Sequence, residues 1–313
     1  MEYVIQTQAL NKSYKKFKAL TSLDLQVQKN SIFGFLGPNG AGKTTTIKLL
    51  LGLIKPSDGG GTVFGLDIVH ESVAIRSRVG YLPQDPRFYD YMTARQILEY
   101  TAKFYFKGPR NEIENRVTET LELVGLKDKA DRPIRGFSGG ELQRLGIGQA
   151  QVNYPDLLIL DEPAASLDPI GRRDVLEVME RLRKHTTIFY CTHILDDVQR
   201  VSDTVAILDH GRLVAHGPIE QLLVGVDGVV YTIGIKGDTD GAYQRLSSRD
   251  WITDIQIKQR NGTMTWFVSV SDQIMAEQEL LRQLLDDPNL MVTEFKRREF
   301  NLEDIFINIV EGG

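Results

Sequence analysis

The chain has 313 residues, 42% apolar and 25% charged, with 37 Lys and Arg against 42 Asp and Glu. These are globular proportions with length for about two domains, and they exclude a mainly disordered or fibrous chain. A formal charge of −5 speaks against a broad nucleic-acid surface, no run approaches the ~18 to 20 apolar residues of a membrane span, and the first residues lack the apolar core of a secretory signal. A cytoplasmic location is therefore expected, with any membrane role coming through a partner. The single cysteine, Cys191, cannot form an internal disulfide and reads as strand packing in an apolar stretch.

Apolar patterning places strands near residues 3–8, 23–28, 31–36, 61–64, 79–82, 156–160, 187–191 and 204–209. Helices are expected over 43–53, 93–106, 111–124, 139–152, 169–184 and 193–201, which interleave with the strands as in an α/β core. The helices 93–106 and 111–124 follow each other without a strand, so residues from about 85 to 150 read as a helical lobe standing off the sheet. Near Gly225 the pattern changes to strand 229–236, helix 240–248, strands 252–259 and 263–270, helix 272–285 and strand 290–296. That order is βαββαβ, a small α+β unit of the split βαβ, ferredoxin-like kind, with Asn261 and Gly262 supplying a tight hairpin turn. The expected domains are therefore 1–224 and 225–313. Residues 226–313 hold nine Lys and Arg against fifteen Asp and Glu, so the second domain is not a nucleic-acid arm, and Lys296, Arg297 and Arg298 read as a solvated strand end.

Gly37, Pro38, Asn39, Gly40, Ala41, Gly42, Lys43 and Thr44 complete the phosphate-cradling pattern G-x-x-x-x-G-K-[ST], between the apolar run at 32–36 and a helical pattern running on from Thr45. Backbone N–H groups and the helix dipole favour an anion there, the glycines let the chain wrap a polyphosphate, Lys43 can reach its terminal phosphates, and the Thr44 hydroxyl can ligate Mg²⁺. A second buried strand, Leu157 to Leu160, ends in Asp161 and Glu162. In phosphate-loop ATPases the first such acid helps to hold the metal and the second can polarise the attacking water. Adjacent residues point in different directions, so the two can divide those tasks. Ser138, Gly139 and Gly140 before a helix offer a second anion site, although alone they also fit a plain N-cap and turn. Read alone, His193 fits a packing histidine and Tyr14 a strand aromatic.

Taken in order, these residues resemble ATP-binding cassette (ABC) ATPases over about residues 3–224. Phe137 to Glu141 resembles the family's L-S-G-G-Q signature, Gln84 its Q-loop glutamine, Ser166 to Asp168 its D-loop, His193 its switch histidine, and Tyr14 the aromatic that stacks on adenine. Phe137 and Glu141 depart from the usual ends of the signature, and Pro163, Ala164 and Ala165 from the usual run after the acids, without removing a side chain that contacts nucleotide. The resemblance implies an α/β phosphate-loop NTPase core with a helical subdomain, using ATP and Mg²⁺. It implies Glu162, His193 and Gln84 in catalysis, Thr44, Gln84 and Asp161 at the metal, and Tyr14, residues 37–44, Thr45, Ser138, Gly139, Gly140 and Asp168 at the nucleotide. It further implies two cassettes packed head to tail as a homodimer, with Ser138 of one closing over the γ-phosphate at Lys43 of the other. A separately encoded permease would hold the pair on the inner face of the membrane.

Phe300 to Phe306 resembles the endings of ABC-2 type exporters, which favours export; physically it reads as an amphipathic helix with Leu302, Ile305, Phe306 and Ile309 on one face. Phe88, Tyr89, Tyr91, Phe104, Tyr105 and Phe106 lie where the family receives a permease helix, and read mostly as lobe core. Other classes fit less well. A DNA-maintenance ATPase needs a long heptad insertion, a ribosome-acting protein usually carries two cassettes and basic linkers, and a non-catalytic scaffold would not need Glu162 and His193.

Overall fold

The computed structural model describes residues 2–223, 229–237, 239–260, 263–287 and 290–297. The chain divides into two compact units, Met1–Ile219 and Glu220–Gly313. The first opens with β1 (Tyr3–Tyr14), β2 (Phe17–Leu23) and β3 (Gln26–Gln28), then the buried strand β4 (Ile32–Leu36) and α1 (Lys43–Leu50). Strands β5 (Asp58–Val63) and β6 (Leu66–Asp67) and the short α2 (Ser72–Arg76) lead to β7 (Val79–Leu82). Three helices follow, α3 (Ala94–Ala102), α4 (Arg110–Leu123) and α5 (Gly139–Gln151). The unit closes with β8 (Leu157–Asp161), α6 (Pro169–Leu182), β9 (Thr187–Thr192), α7 (Leu195–Val201), β10 (Thr204–Asp209) and β11 (Arg212–Pro218).

Strands β4, β8 and β9 are buried at every position, as apolar strands covered on both faces must be. They lie inside a six-stranded sheet of order β11-β10-β4-β9-β8-β7, parallel except for the edge pair of β10 and β11. Parallel pairing brings the carboxyl ends of β4, β9 and β8 to one edge, with Leu36 opposite Thr192 and Asp161 opposite Cys191. Ligands bind at that edge in open α/β sheets. Phe33 stacks on Phe189 at 5.6 Å between ring centres, and Phe35 meets the same ring at 5.4 Å. All three rings are fully buried, each contributing about 2 kcal/mol by removal of apolar surface from water. A separate antiparallel sheet, β2-β1-β5-β6 with β3 on β1, completes the unit.

Strand β1 runs on to Tyr14 because β2 and β3 pair with different parts of it, Leu10 with Leu23 and Tyr3 with Gln28. The single strand expected at 23–28 is thus two. The edge strand β11, half-exposed in alternation, was not legible as a strand. Helix α4 buries Ile113, Val117 and Leu121, one stripe at helical spacing, and packs on α3 and α5. The aromatic residues of this lobe are not its core. Tyr89, Tyr91, Phe104 and Tyr105 are exposed, and Phe88 and Phe106 half-buried. The buried face of α3 is filled by Ala94, Ile97, Leu98 and Ala102, and Phe104 to Phe106 lie beyond the end of that helix.

The second unit contains β12 (Val229–Gly237), the helix Asp240–Ser247, β13 (Ile252–Arg260) and β14 (Thr263–Val270). A helical stretch then runs through Gln273–Met275, a π-helical turn at Ala276–Leu280 and Leu281–Leu285 to β14's successor, β15 (Leu290–Arg297). The sheet order is β13-β14-β12-β15 with every neighbouring pair antiparallel, the connectivity of a split βαβ unit. Trp266, Ile233, Ile235, Val268, Leu246 and Leu280 form its own core. The expected hairpin turn at Asn261 and Gly262 and the tail from Phe300 lie outside the described residues.

One buried cation pins the lobe. The Arg116 guanidinium on α4 donates to the carbonyls of Gln151 at 2.6 Å and Val152 at 2.8 Å, closing the carboxyl end of α5, and stacks 3.2 Å from the centre of the Tyr154 ring. Arg116→Ala removes a donor from each carbonyl, leaving Gln151 only the Tyr154 N–H at 3.1 Å, and is expected to cost about 2 to 3 kcal/mol in denaturant unfolding. Arg116→Lys should recover only part of this, because an ammonium lacks the planar fork.

Candidate functional site

The loop after β4 is shaped by backbone that only glycine accommodates. Gly42, the N-cap of α1, has φ +111°, and a Cβ there would lie 2.7 Å from the Ala19 carbonyl oxygen. No side chain caps α1, which leaves first-turn N–H groups to an external anion. Gly40, at φ +85°, faces open space. The loop is tied back to the sheet by the Gly37 N–H, which donates to the Thr192 carbonyl at 3.2 Å.

Lys43, the first residue of α1, is buried with its ammonium inside the loop, donating to the carbonyls of Gly37 at 2.7 Å and Pro38 at 3.2 Å. The same Nζ lies 3.2 Å from Glu162 Oε1. Glu162 follows the last residue of β8 in a left-handed conformation, φ +52°, uncommon for a side chain of this kind. Its N–H donates to the Cys191 carbonyl at 3.0 Å, which holds that turn against β9. Its Oε2 meets His193 Nδ1 at 2.9 Å. An ionised carboxylate only accepts, so Nδ1 carries the hydrogen and Nε2 is left to accept from, or when protonated donate to, a third group. Lys43, Glu162 and His193 therefore form one chain of polar contacts.

Asp161 ends β8 on the other side of this chain. The Thr44 hydroxyl donates to its Oδ2 at 3.0 Å, and its Oδ1 is buried with no protein partner. An orphaned carboxylate oxygen beside a hydroxyl is a fit donor set for Mg²⁺, a hard cation with oxygen ligands. Burial is the largest influence on Asp161 and holds its carboxyl above the ordinary range; the Thr44 hydrogen bond works against this and the Glu162 charge adds to it.

Other expected site residues stand outside this cluster. Tyr14 is 45% exposed at the tip of the β1–β2 hairpin, with Lys12 Nζ 5.0 Å from its ring centre. Gln84 is exposed just beyond β7, and Asn39 is exposed on the loop. Ser138 caps α5 and Asp168 caps α6, each accepting from a first-turn N–H, Glu141 at 3.3 Å and Gly171 at 2.7 Å. These two N-termini lie side by side, since a Cβ at Gly140 would be 3.0 Å from the Gly171 Cα. Ser138, Gly139 and Asp168 are exposed, and among the described residues no hydrogen bond joins them to Lys43, Asp161, Glu162 or His193.

Residues 20–165 match the family model described as ABC transporter. An ABC transporter ATP-binding protein of Bacillus subtilis (strain 168), YxlF, is 34% identical over 98% of this chain and 99% of its own length. The chain belongs to the ABC transporter ATP-binding proteins. The bacitracin transport ATP-binding protein BcrA of Bacillus licheniformis is 35% identical over 100% of this chain and 99% of its own. Among solved structures, cbiO1 from Clostridium perfringens, part of the ABC transporter complex cbiONQ, superposes with a TM-score of 0.67 at 27% identity, covering 72% of this chain and 92% of that one. The cassette is thus an ATP-binding, ATP-hydrolysing subunit of an ABC transporter. Roles in DNA maintenance, translation or scaffolding find no support in these likenesses. No helix among the described residues is long and apolar enough to cross a membrane.

Sequence reasoning missed the second layer of this site. Arg172 on α6 pairs with Asp197, buried on α7, and so fixes the helix that follows His193. Lys129 pairs with Glu141 beneath Ser138. The capping box of Ser138 and Glu141 is legible as S-x-x-E, whereas neither ion pair leaves a sequence signal.

The raised Asp161 carboxyl has a consequence for stability. A carboxyl whose folded value lies above its unfolded one costs stability wherever both states are ionised, and the cost vanishes as pH falls through the folded value. Asp161→Asn is therefore expected to raise the thermal midpoint of the nucleotide-free protein at neutral pH, with the increment shrinking toward acid. Calorimetric melts across pH check it.

Proposed function

We propose that two copies of this chain bind two ATP between them, head to tail, and that hydrolysis reopens the pair to drive export through a separately encoded permease. The carrying observation is the buried Glu162, which meets Lys43 on one side and His193 on the other at the edge where β4, β8 and β9 end. In this reading Lys43 turns to the β- and γ-phosphates, to which the N–H groups of residues 42–45 also donate. Thr44, Asp161 and Gln84 would hold Mg²⁺, which supplies neutralising charge to the phosphates. Glu162 orients and polarises the attacking water, and His193 contacts the γ-phosphate through Nε2. Tyr14 offers its exposed ring to adenine. Ser138, Gly139, Gly140 and Asp168 stand outward to meet the nucleotide held by the other copy.

Outward transport is supported by the sequence from Phe300, similar to endings of ABC-2 type exporters, and a transport role by the relative named for bacitracin transport. The cytoplasmic helix of the permease is assigned to the helical lobe, whose exposed rings include the pairs Tyr89 with Tyr91 and Tyr100 with Phe104. The subunit would then sit on the inner face of the membrane. The second unit, with a core of its own, is assigned to dimer stability or regulation rather than to ATP binding.

Two measurements test this reading. Glu162→Gln keeps the shape but cannot act as a base, so hydrolysis is expected to fall by about 10² to 10⁴-fold, with the protein collecting as an ATP-bound dimer in light scattering. Turnover at the parental rate would move the catalytic role elsewhere. A chain ending at residue 224 should melt cooperatively, retain stabilisation by ATP, and dimerise more weakly than the full chain. Loss of ATP-induced stabilisation would make the second unit part of the nucleotide fold instead.

A further inference from the structure

The N-terminus of α5 carries a contradiction in charge. Ser138 Oγ accepts from the Glu141 N–H at 3.3 Å, and Glu141 Oε2 accepts from the Ser138 N–H at 2.8 Å, a reciprocal capping box. Ser138 Oγ still has its own O–H to donate, and the N–H groups of Gly139 and Gly140 precede the first intrahelical bonds. The turn can therefore offer a hydroxyl, two amides and the positive end of a helix to a phosphate. Yet a carboxylate stands in the same turn. Burial pushes the Glu141 carboxyl upward, but the ion pair with Lys129 and the Ser138 N–H outweigh it, so the group stays below its usual value and ionised at neutral pH. A full negative charge there opposes the dipole's half charge and repels any phosphate brought to Ser138.

Lys129 resolves the contradiction. It ends the short 3₁₀ turn Lys127–Lys129, and its ammonium pairs with Glu141 Oε1 while Oε2 is committed to the Ser138 N–H. Glu141 is buried, and the Lys129 side chain is half exposed. We propose that Lys129 is a positioning residue for ATP-driven pairing of two copies: by neutralising and anchoring Glu141, it lets the α5 N-terminus accept the γ-phosphate held at Lys43 of the other copy. This rests on the two-copy reading above. It differs from a merely structural ion pair in one respect. If charge is what matters, glutamine at 141 makes Lys129 dispensable, because the amide oxygen still accepts from the Ser138 N–H without carrying a charge.

The test uses the full chain in the Glu162→Gln background, with the ATP concentration for half-maximal dimerisation read by light scattering and ADP affinity by calorimetry as a control on the Lys43 loop. Lys129→Met, which keeps the aliphatic stem, is expected to raise that ATP concentration about tenfold, the order expected for one uncompensated charge at a helix terminus. ADP affinity should stay near parental. Lys129→Met combined with Glu141→Gln should return to within about twofold of the background, and Lys129→Arg should match it. Dimerisation by Lys129→Met at the background concentration overturns the proposal, as does a double variant no better than Lys129→Met alone. A Lys129→Met chain that does not fold is covered by Lys129→Gln, to which the same criteria apply. If the Glu162→Gln background itself fails to dimerise with ATP, the two-copy reading falls and this inference with it.

Discussion

An ammonium group sealed from water has to be matched by charge, and Lys43 is matched by Glu162 at 3.2 Å with both side chains almost wholly buried. The two residues come from α1 and from the end of β8, which are not neighbours in the sheet, since β9 lies between β4 and β8. The contact therefore requires the phosphate loop to fold back over the end of β9. The Gly37 N–H on the Thr192 carbonyl holds it there, and a Cβ on Gly37, 2.3 Å from the Leu208 carbonyl oxygen, would push it away. A buried pair of this kind adds little net stability, because desolvation offsets the attraction, but it fixes where both charges stand.

The two adjoining acids differ because their backbones differ. Asp161 is the last residue of a regular strand, pairs in register with Cys191, and turns toward Thr44 on α1. Glu162 is forced into the left-handed region, which swings its carboxylate toward Lys43 and His193. One carboxylate thus keeps an oxygen without a protein partner for a cation, while the other carries an ammonium on one oxygen and an imidazole on the other. Catalysis in the proposed reading depends on that asymmetry.

The remaining parts of the machinery face outward. Ser138 and Asp168 cap helices whose first turns meet at Gly140 and Gly171, which sets the two N-termini side by side. Each cap accepts from its own helix; the Ser138 hydroxyl keeps its O–H to donate, whereas the Asp168 carboxylate, when ionised, has none. The lobe that carries Ser138 is held by the Arg116 clamp between α4 and α5, while its exposed rings offer a surface suited to a partner. In the proposed reading, a lobe clamped in this way and carrying exposed rings passes force between a permease and a nucleotide.

Legible before any folding were the α/β class, the main run of strands and helices apart from β11 and the split of residues 23–28, and the loop, acids and histidine of the candidate site. Those features depend on local chemistry: glycines where φ must be positive, apolar runs where strands are buried, and S-x-x-E where a helix begins. The βαββαβ order of the second unit was legible for the same reason. Which groups face one another was not legible in the sequence. That β9 separates β4 from β8, that Glu162 takes a left-handed turn and that Lys129 reaches Glu141 depend on strand order and long-range packing. The aromatic residues of the lobe show the limit most clearly. Composition favours burying Tyr91 and Phe104, yet α3 fills its inner face with Ala94, Ile97, Leu98 and Ala102, and the larger rings are left outside.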